Sequence, residues 1–232
     1  MTPSGTRPQL QRTSATRAGL FITLEGGEGA GKSLQAEALA RRLKKHGQSV
    51  VRTREPGGTP LGERLRDIVL GLSSDGAGPH LDPLTETLLF IAARAELVSS
   101  VIAPALQRGD VVVCDRFADS TRAYQGFGRE LSLELIDQLN GAVTEGVCPD
   151  LTALLDLPVE EGLARTGAAG QADRIGSEGQ AFHERVRQGY QALAAREPGR
   201  WLVVDATQPP DAVTDAIWQR VAPLLLRPPG SS

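Results

Sequence analysis

Five short runs of nearly continuous apolar residues punctuate the chain: Leu20 to Leu24, Ser49 to Thr53, Val111 to Asp115, Thr152 to Asp156 and Trp201 to Asp205. Each is followed sooner or later by a stretch with helical periodicity. A strand with one wet face alternates apolar and polar side chains, whereas a strand covered on both faces is apolar throughout. The runs therefore predict a parallel sheet flanked by helices, an α/β fold. No internal repeat interrupts the pattern.

The first helix is predicted from about Ser33 to His46, with Ala36, Leu39, Ala40 and Leu43 on one face and Gly47 as its stop. Thr59-Pro60 is an N-cap followed by proline at the first helical position, and Asp82-Pro83 repeats that signal. The helix opened by Asp82 should run through Leu106, bent or shortened near its end by Pro104. Further helices are expected over Ser132 to Glu145, Gln180 to Glu197 and Asp211 to Leu225. Between them Gly162 to Gly179, rich in Gly and Ala, reads as a mobile segment and a lid, about residues 160–180.

Composition narrows the class. With 232 residues, 40% hydrophobic and 23% charged, the chain can bury one substantial core and is most simply one domain over residues 19–227. Residues 1–18 carry Arg7, Arg12 and Arg17, no acid and many Ser, Thr and Pro, so a disordered tail is expected there, with a flexible end over 228–232. That start lacks both the amphipathic period of a transit peptide and the apolar region of a secretory signal. The net charge of -3 argues against a protein that coats nucleic acid. No apolar stretch reads as long enough to span a membrane. Cys114 and Cys148 lack a CxxC or His partner and read as reduced thiols, which fits a cytoplasmic location.

Chemistry enters between the first strand and the first helix. Gly26-Gly27-Glu28-Gly29-Ala30-Gly31-Lys32-Ser33 follows an apolar strand and opens an amphipathic helix at Leu34, the context a phosphate-binding P-loop requires. Backbone N–H groups wrap a phosphate at the helix N-terminus, Lys32 brings a compact charge to the outer phosphates, and Ser33 offers a hydroxyl to Mg²⁺. Lysine occurs otherwise only at Lys44 and Lys45 in an arginine-rich chain, so Lys32 goes against the chain's own habit. A nucleoside triphosphate is implied.

The third run ends in Asp115, the position from which a P-loop protein commonly steers Mg²⁺. Beyond it come Arg116, Ser120, Thr121, Ala123-Tyr124-Gln125-Gly126 and Gly128-Arg129. Arginines, an amide and a phenol beyond the carboxyl end of a parallel strand mark a ligand site. Phe90 and Arg94 stand four apart on a predicted helix and share a face, so a ring can stack on a base while a guanidinium reaches its edge.

These pieces, with Glu25-Gly26, Thr53-Arg54-Glu55-Pro56-Gly57-Gly58-Thr59-Pro60, Pro149-Asp150-Leu151-Thr152, Leu155-Asp156, Asp173-Arg174 and Asp205-Ala206, closely resemble bacterial thymidylate kinases in order over nearly all of residues 19 to 226. The resemblance implies a nucleoside-monophosphate-kinase fold, a five-stranded parallel sheet in order 2-3-1-4-5, and transfer of the ATP γ-phosphoryl group to dTMP. It further implies that Lys32 holds the β- and γ-phosphates and that Arg116 bridges donor and acceptor phosphates. Arg54 helps bind the monophosphate, Tyr124 crowds the ribose 2′ position, and Gln125 meets the thymine edge. Glu28 is placed near the substrate sugar and Mg²⁺. A homodimer is implied as well. The lid departs from the usual pattern: Gly167, Ala168 and Ala169 separate Arg165 from Arg174, which leaves Arg174 as first choice and Arg165 as second for the transferring group. A deoxynucleoside kinase would share the sheet and P-loop, but the arginines suit a substrate that already carries phosphate. A GTPase-like switch lacks its N-K-x-D motif, and a non-catalytic nucleotide-binding regulator would not need Lys32, Ser33, Asp115 and Arg116 together.

Overall fold

The computed structural model describes residues 19–72, 81–168 and 173–226. Five parallel strands, β1 (Leu20–Glu25), β2 (Val50–Arg54), β3 (Val111–Asp115), β4 (Leu151–Asp156) and β5 (Trp201–Asp205), form one sheet in the order β2-β3-β1-β4-β5. The register aligns Leu24 with Asp115 and Arg54 with Asp115, so the carboxyl ends of the three strands that carry the site finish together.

Helical layers cover both faces, as continuous apolarity requires. Successive side chains of β1 point to opposite sides, and Phe21 and Ile22 are both fully buried, Phe21 with Leu97, Ile102 and Phe117, Ile22 with Leu39, Leu43 and Ile217. Each such side chain contributes about 1.5–3 kcal/mol of burial. The first layer comes from α1 (Lys32–Lys45) and α9 (Pro210–Val221), and a third cluster joins Tyr124, Phe182, Val186 and Tyr190 beneath α8 (Gln180–Arg196).

The helix signals operate as read. Thr59 Oγ1 accepts from Gly62 N at 2.9 Å to open α2 (Pro60–Leu70), and Asp82 Oδ1 accepts from Leu84 N at 2.9 Å to open α3 (Pro83–Leu97). Pro104 has the expected effect with a particular geometry: Val98–Ile102 takes a π-helical turn before α4 (Ala103–Gln107), which accommodates a residue that has no N–H for the ladder. The expectation that no apolar stretch reaches spanning length is corrected here. Pro83–Gln107 is 25 residues long and apolar enough by length and composition. It is a core element: it packs on α2 and on α6 (Leu133–Thr144), and it carries Glu86 and Arg94 fully buried in ion pairs.

Two local expectations also change. The segment after Asp115, read only as a ligand cluster, is helical, as α5 (Ala118–Thr121) and then a π-helical stretch over Arg122–Gly128. The lid segment begins as a helix, since α7 (Val159–Ala168) extends well past Gly162 before the turn at residues 173–179. Gly162 is needed there because its Cβ would meet Glu28 O at 2.3 Å, so α7 packs directly on the P-loop. Cys114 is buried and Cys148 exposed. The predicted tails at 1–18 and 228–232 and lid residues 169–172 lie outside the described residues.

Candidate active site

At the carboxyl end of the sheet, a cavity of about 400 Å³ opens between the P-loop, the loop after β2, α3, the segment after β3 and the lid. Its donor end is the P-loop. Gly31 has φ 85°, a left-handed conformation that glycine adopts without strain, and it is the N-cap of α1. This turns the unpaired N–H groups of the first helical turn toward the cavity. Lys32 is buried and donates from Nζ to Gly27 O at 2.7 Å. Burial, with the Arg116 charge adding to it, pushes the Lys32 ammonium down to about 8. Leu34 is exposed at the rim, whereas Ala30 is buried in the core.

Ser33 Oγ donates to Asp115 Oδ2 at 2.5 Å, while Asp115 Oδ1 is buried without a hydrogen-bond partner. A hydroxyl and an unpaired carboxylate oxygen on the cavity wall suit a hard divalent cation, and Mg²⁺ typically takes only one or two protein oxygens. No group of three or more His, Cys, Asp or Glu suited to a metal occurs among the described residues. The remaining ligands would come from phosphate and water.

Arg116 occupies the centre. Its φ is 70°, a conformation that costs a non-glycine residue roughly 1–3 kcal/mol. Surrounding bonds hold it there: the backbone N donates to Leu24 O, Nη1 donates to Gly26 O at 3.0 Å, and Nη2 donates to Glu28 Oε1 and Tyr124 OH, both at 2.9 Å. The guanidinium also lies 4.7 Å from the centre of the Tyr124 ring. Tyr124 OH donates to Glu28 Oε1 at 2.7 Å. Burial alone would raise the Glu28 carboxyl, but Arg116, Lys32 and the Tyr124 hydroxyl outweigh it and bring it down to about 2. The P-loop acid is thus a carboxylate clamped to the arginine.

Beneath this pair, Glu25 is fully buried and accepts from Phe117 N at 2.8 Å, Ser120 Oγ at 2.6 Å and Tyr190 OH at 2.9 Å. Burial, then the nearby Asp119, raises its carboxyl to about 7. Ser120 Oγ and Tyr190 OH each accept from Arg116 Nη1 at 3.3 Å, so Glu25 supports the arginine through two hydroxyls.

Phe90, Gln125 and Arg94 line the inner end. Arg94 is almost fully buried and every one of its N–H groups has a partner: Nε donates to both oxygens of Glu55, Nη1 to Thr121 Oγ1 and Asn140 Oδ1, and Nη2 to Glu55 Oε2 and Phe117 O. A contact with a base would therefore share an N–H already engaged. Arg54 is half-exposed and donates to Glu63 Oε2 at 2.8 Å.

The lid arginines are placed apart. Arg165 lines the cavity and donates from Nη1 to Ala206 O at 3.3 Å and Gly29 O at 3.5 Å, against the P-loop. Arg174 does not line the cavity, and it donates to Val69 O at 2.9 Å and to Glu86 Oε2 at 2.6 Å.

Sequence reasoning missed three groups here. Arg66 lines the cavity beside Arg54, donating to Pro56 O at 3.1 Å, and no motif carried it because the recognised stretch stopped at Pro60. Glu25 was seen only as the start of the P-loop. Glu86 could have been found, since Glu86, Phe90 and Arg94 stand four apart on α3 and the spacing that picked out the latter two includes the first.

Comparison with known proteins points to thymidylate kinases. The thymidylate kinase family model matches residues 24–217. A thymidylate kinase of Thermomicrobium roseum is 53% identical over 208 residues, covering 89% of this chain and 96% of its own. One of Pseudomonas putida strain GB-1 is 55% identical over 196 residues, covering 84% and 91%. The crystal structure of thymidylate kinase from Ehrlichia chaffeensis superposes with a TM-score of 0.70 at 36% identity, over 88% of this chain and 98% of that one.

Proposed function

The chain belongs to the thymidylate kinase family and phosphorylates dTMP with ATP as donor, and on that premise we propose the following division of labour within the cavity. Lys32 and the P-loop N–H groups hold the β- and γ-phosphates of ATP. Ser33 and Asp115 hold Mg²⁺, with Glu28 close by; the unpartnered Asp115 Oδ1 supports this. When bound, the ion neutralises charge on the transferring phosphates. Phosphoryl transfer leaves the protein little covalent chemistry, and positioned charge supplies most of the acceleration.

The observation that carries the reading is Arg116, held in a costly backbone conformation between the P-loop and the Tyr124–Glu28 pair. From there its guanidinium reaches both the donor and the acceptor phosphate. Arg54 and Arg66 flank the acceptor phosphate, Phe90 stacks on the pyrimidine, Gln125 reads its edge, and Arg94 with Thr121 and Ser120 forms the rigid wall behind. Tyr124 leaves little room for a ribose 2′-hydroxyl. Arg165 serves the donor nucleotide from its place against the P-loop. Arg174 stabilises the transferring phosphoryl group after exchanging Glu86 for phosphate as the lid closes.

The same chain offers a surface for a second copy. Leu61 and Ile68 on α2, Leu84 and Leu88 on α3, and Leu135 on α6 are exposed, and α3 packs on both other helices. We assign this face to a homodimer, which Leu84→Glu with Leu88→Glu should convert to monomer in sedimentation.

A coupled ADP-release assay over dTMP, dUMP, dCMP and thymidine tests the acceptor assignment. Turnover should be highest with dTMP and negligible with thymidine, which gives the arginines no phosphate to hold. Rapid turnover of thymidine would reject it.

A further inference from the structure

Glu86 touches neither nucleotide in the reading above, yet it is fully buried at the inner end of the cavity and gathers the groups around it. Its Oε1 accepts from Gln125 Nε2 at 2.9 Å and from Arg129 Nε at 3.2 Å. Its Oε2 accepts from Arg129 Nη2 at 3.1 Å and Arg174 Nη2 at 2.6 Å. Gln125 is buried as well and lines the cavity, and its Oε1 accepts no hydrogen bond among the described residues.

We infer that Glu86 is a specificity-determining positioning residue, which locks the Gln125 amide so that the site accepts a pyrimidine protonated at N3 and rejects one whose N3 is an acceptor. The inference rests on the reading of Gln125 as the group that meets the base edge. Its physical basis is the difference between an amide and a carboxylate. An amide can present donor or acceptor to a neighbour, whereas an ionised carboxylate can only accept. Burial works to raise the Glu86 carboxyl, but the bonds from Arg129, Gln125 and Arg174 hold it below its ordinary value, so it is ionised. Gln125 must therefore turn Nε2 toward Glu86 and Oε1 toward the cavity. Arg129 also pairs with Glu178 at 2.6 Å, which ties the carboxylate's own partner in place.

The consequence follows where Gln125 Oε1 faces N3 of the base, the position at which thymine carries its proton. Thymine offers an N–H at N3 beside a carbonyl at C4. Cytosine offers a lone pair at N3 beside an amine. In that pose, exchanging the two inverts donor and acceptor, and only turning the Gln125 amide over would restore the match. Turning it over sets the amide oxygen against the Glu86 oxygen with no proton between them, in a buried site where two opposed acceptors are costly. Uracil has the same N3–H and C4 carbonyl as thymine, so this device does not separate dUMP from dTMP.

The test is kcat/KM for dTMP, dCMP and dUMP in the unmodified protein, Glu86→Gln, Glu86→Asp and Gln125→Leu. Glu86→Gln should lower the dTMP-over-dCMP ratio by about tenfold or more, because an amide at 86 can donate to a turned Gln125, while the dTMP-over-dUMP ratio stays unchanged. Glu86→Asp, still acceptor-only, should keep most of the dCMP discrimination. These ratios cancel any loss of turnover common to all acceptors, including one caused by loosening Arg129 or Arg174. Full dCMP discrimination in Glu86→Gln, with its loss in Gln125→Leu, would overturn the role of Glu86 alone. Discrimination that survives in Gln125→Leu would overturn the base-edge reading itself. Should Glu86→Gln fail to fold, a collapse of dCMP discrimination in folded Glu86→Asp would equally overturn the lock.

Discussion

At the donor end of the cavity, every group proposed to face phosphate comes from consecutive residues, Gly26 to Ser33, except the lid and Arg116, which is shared by both ends, whereas at the acceptor end Arg54, Arg66, Phe90, Arg116 and Gln125 come from four different parts of the fold. Their charges are also partnered differently. Lys32 holds only a backbone carbonyl, so a phosphate can take the ammonium at little cost. On the acceptor side most arginines already have a carboxylate: Arg54 has Glu63, Arg94 has Glu55, Arg116 has Glu28, and Arg129 and Arg174 have Glu86, while Arg66 donates to the carbonyl of Pro56. A short segment can build a phosphate cradle from backbone alone, but a site that must fix a sugar, a base and a phosphate needs side chains oriented in advance. The carboxylates supply that orientation.

The strongest way to break this contrast is at the lid, where Arg174 rests on an acceptor-side carboxylate but is assigned to the transferring group. Arg174→Ala should lower kcat by about 10³ with little change in dTMP affinity, and Arg174→Lys should restore only part of it, because an ammonium lacks the planar fork. If Arg165→Ala proves the more damaging in kcat, the two roles are exchanged. Lys32→Ala comes next, with kcat falling on the order of 10² or more in a protein whose melting temperature is unchanged. Near-normal turnover there would remove the P-loop from the account.

Phe90→Ala sharpens the acceptor side. Lost stacking is worth roughly 1–3 kcal/mol, so the dTMP KM should rise while the ATP KM holds. A large drop in melting temperature instead would return Phe90 to the core. The smallest effect concerns pH at the donor end. The free Lys32 ammonium titrates near 8, and only its charged form attracts phosphate, so above that pH a proton must be taken up on binding. The ATP KM should therefore climb by up to about tenfold per pH unit above 8, with the dTMP KM flat. Lys32→Arg, charged throughout, should abolish that slope.

The same contrast decides what the sequence made legible. The P-loop and the capped starts of α2 and α3 were readable because each signal lies within a few residues, whereas the sheet order came only with the family resemblance. Arg94 was readable as a member of the site but not as a residue whose donors are all engaged, since its partners lie 39, 27, 46 and 23 residues away. Arg174 shows the same limit, with Glu86 at a separation of 88. The helical geometry after Phe117 was hidden by Gly126 and Gly128, which break the apolar period. What a carboxylate does to a neighbouring arginine or amide appears only once the fold has brought them together.

Separate construction of the two ends is tested most directly by calorimetric titration of ATP and of dTMP into the unmodified protein, Lys32→Ala and Phe90→Ala. The account predicts a crossed pattern, with Lys32→Ala weakening ATP and sparing dTMP, and Phe90→Ala weakening dTMP and sparing ATP. Parallel loss of both nucleotides in both folded variants would contradict it.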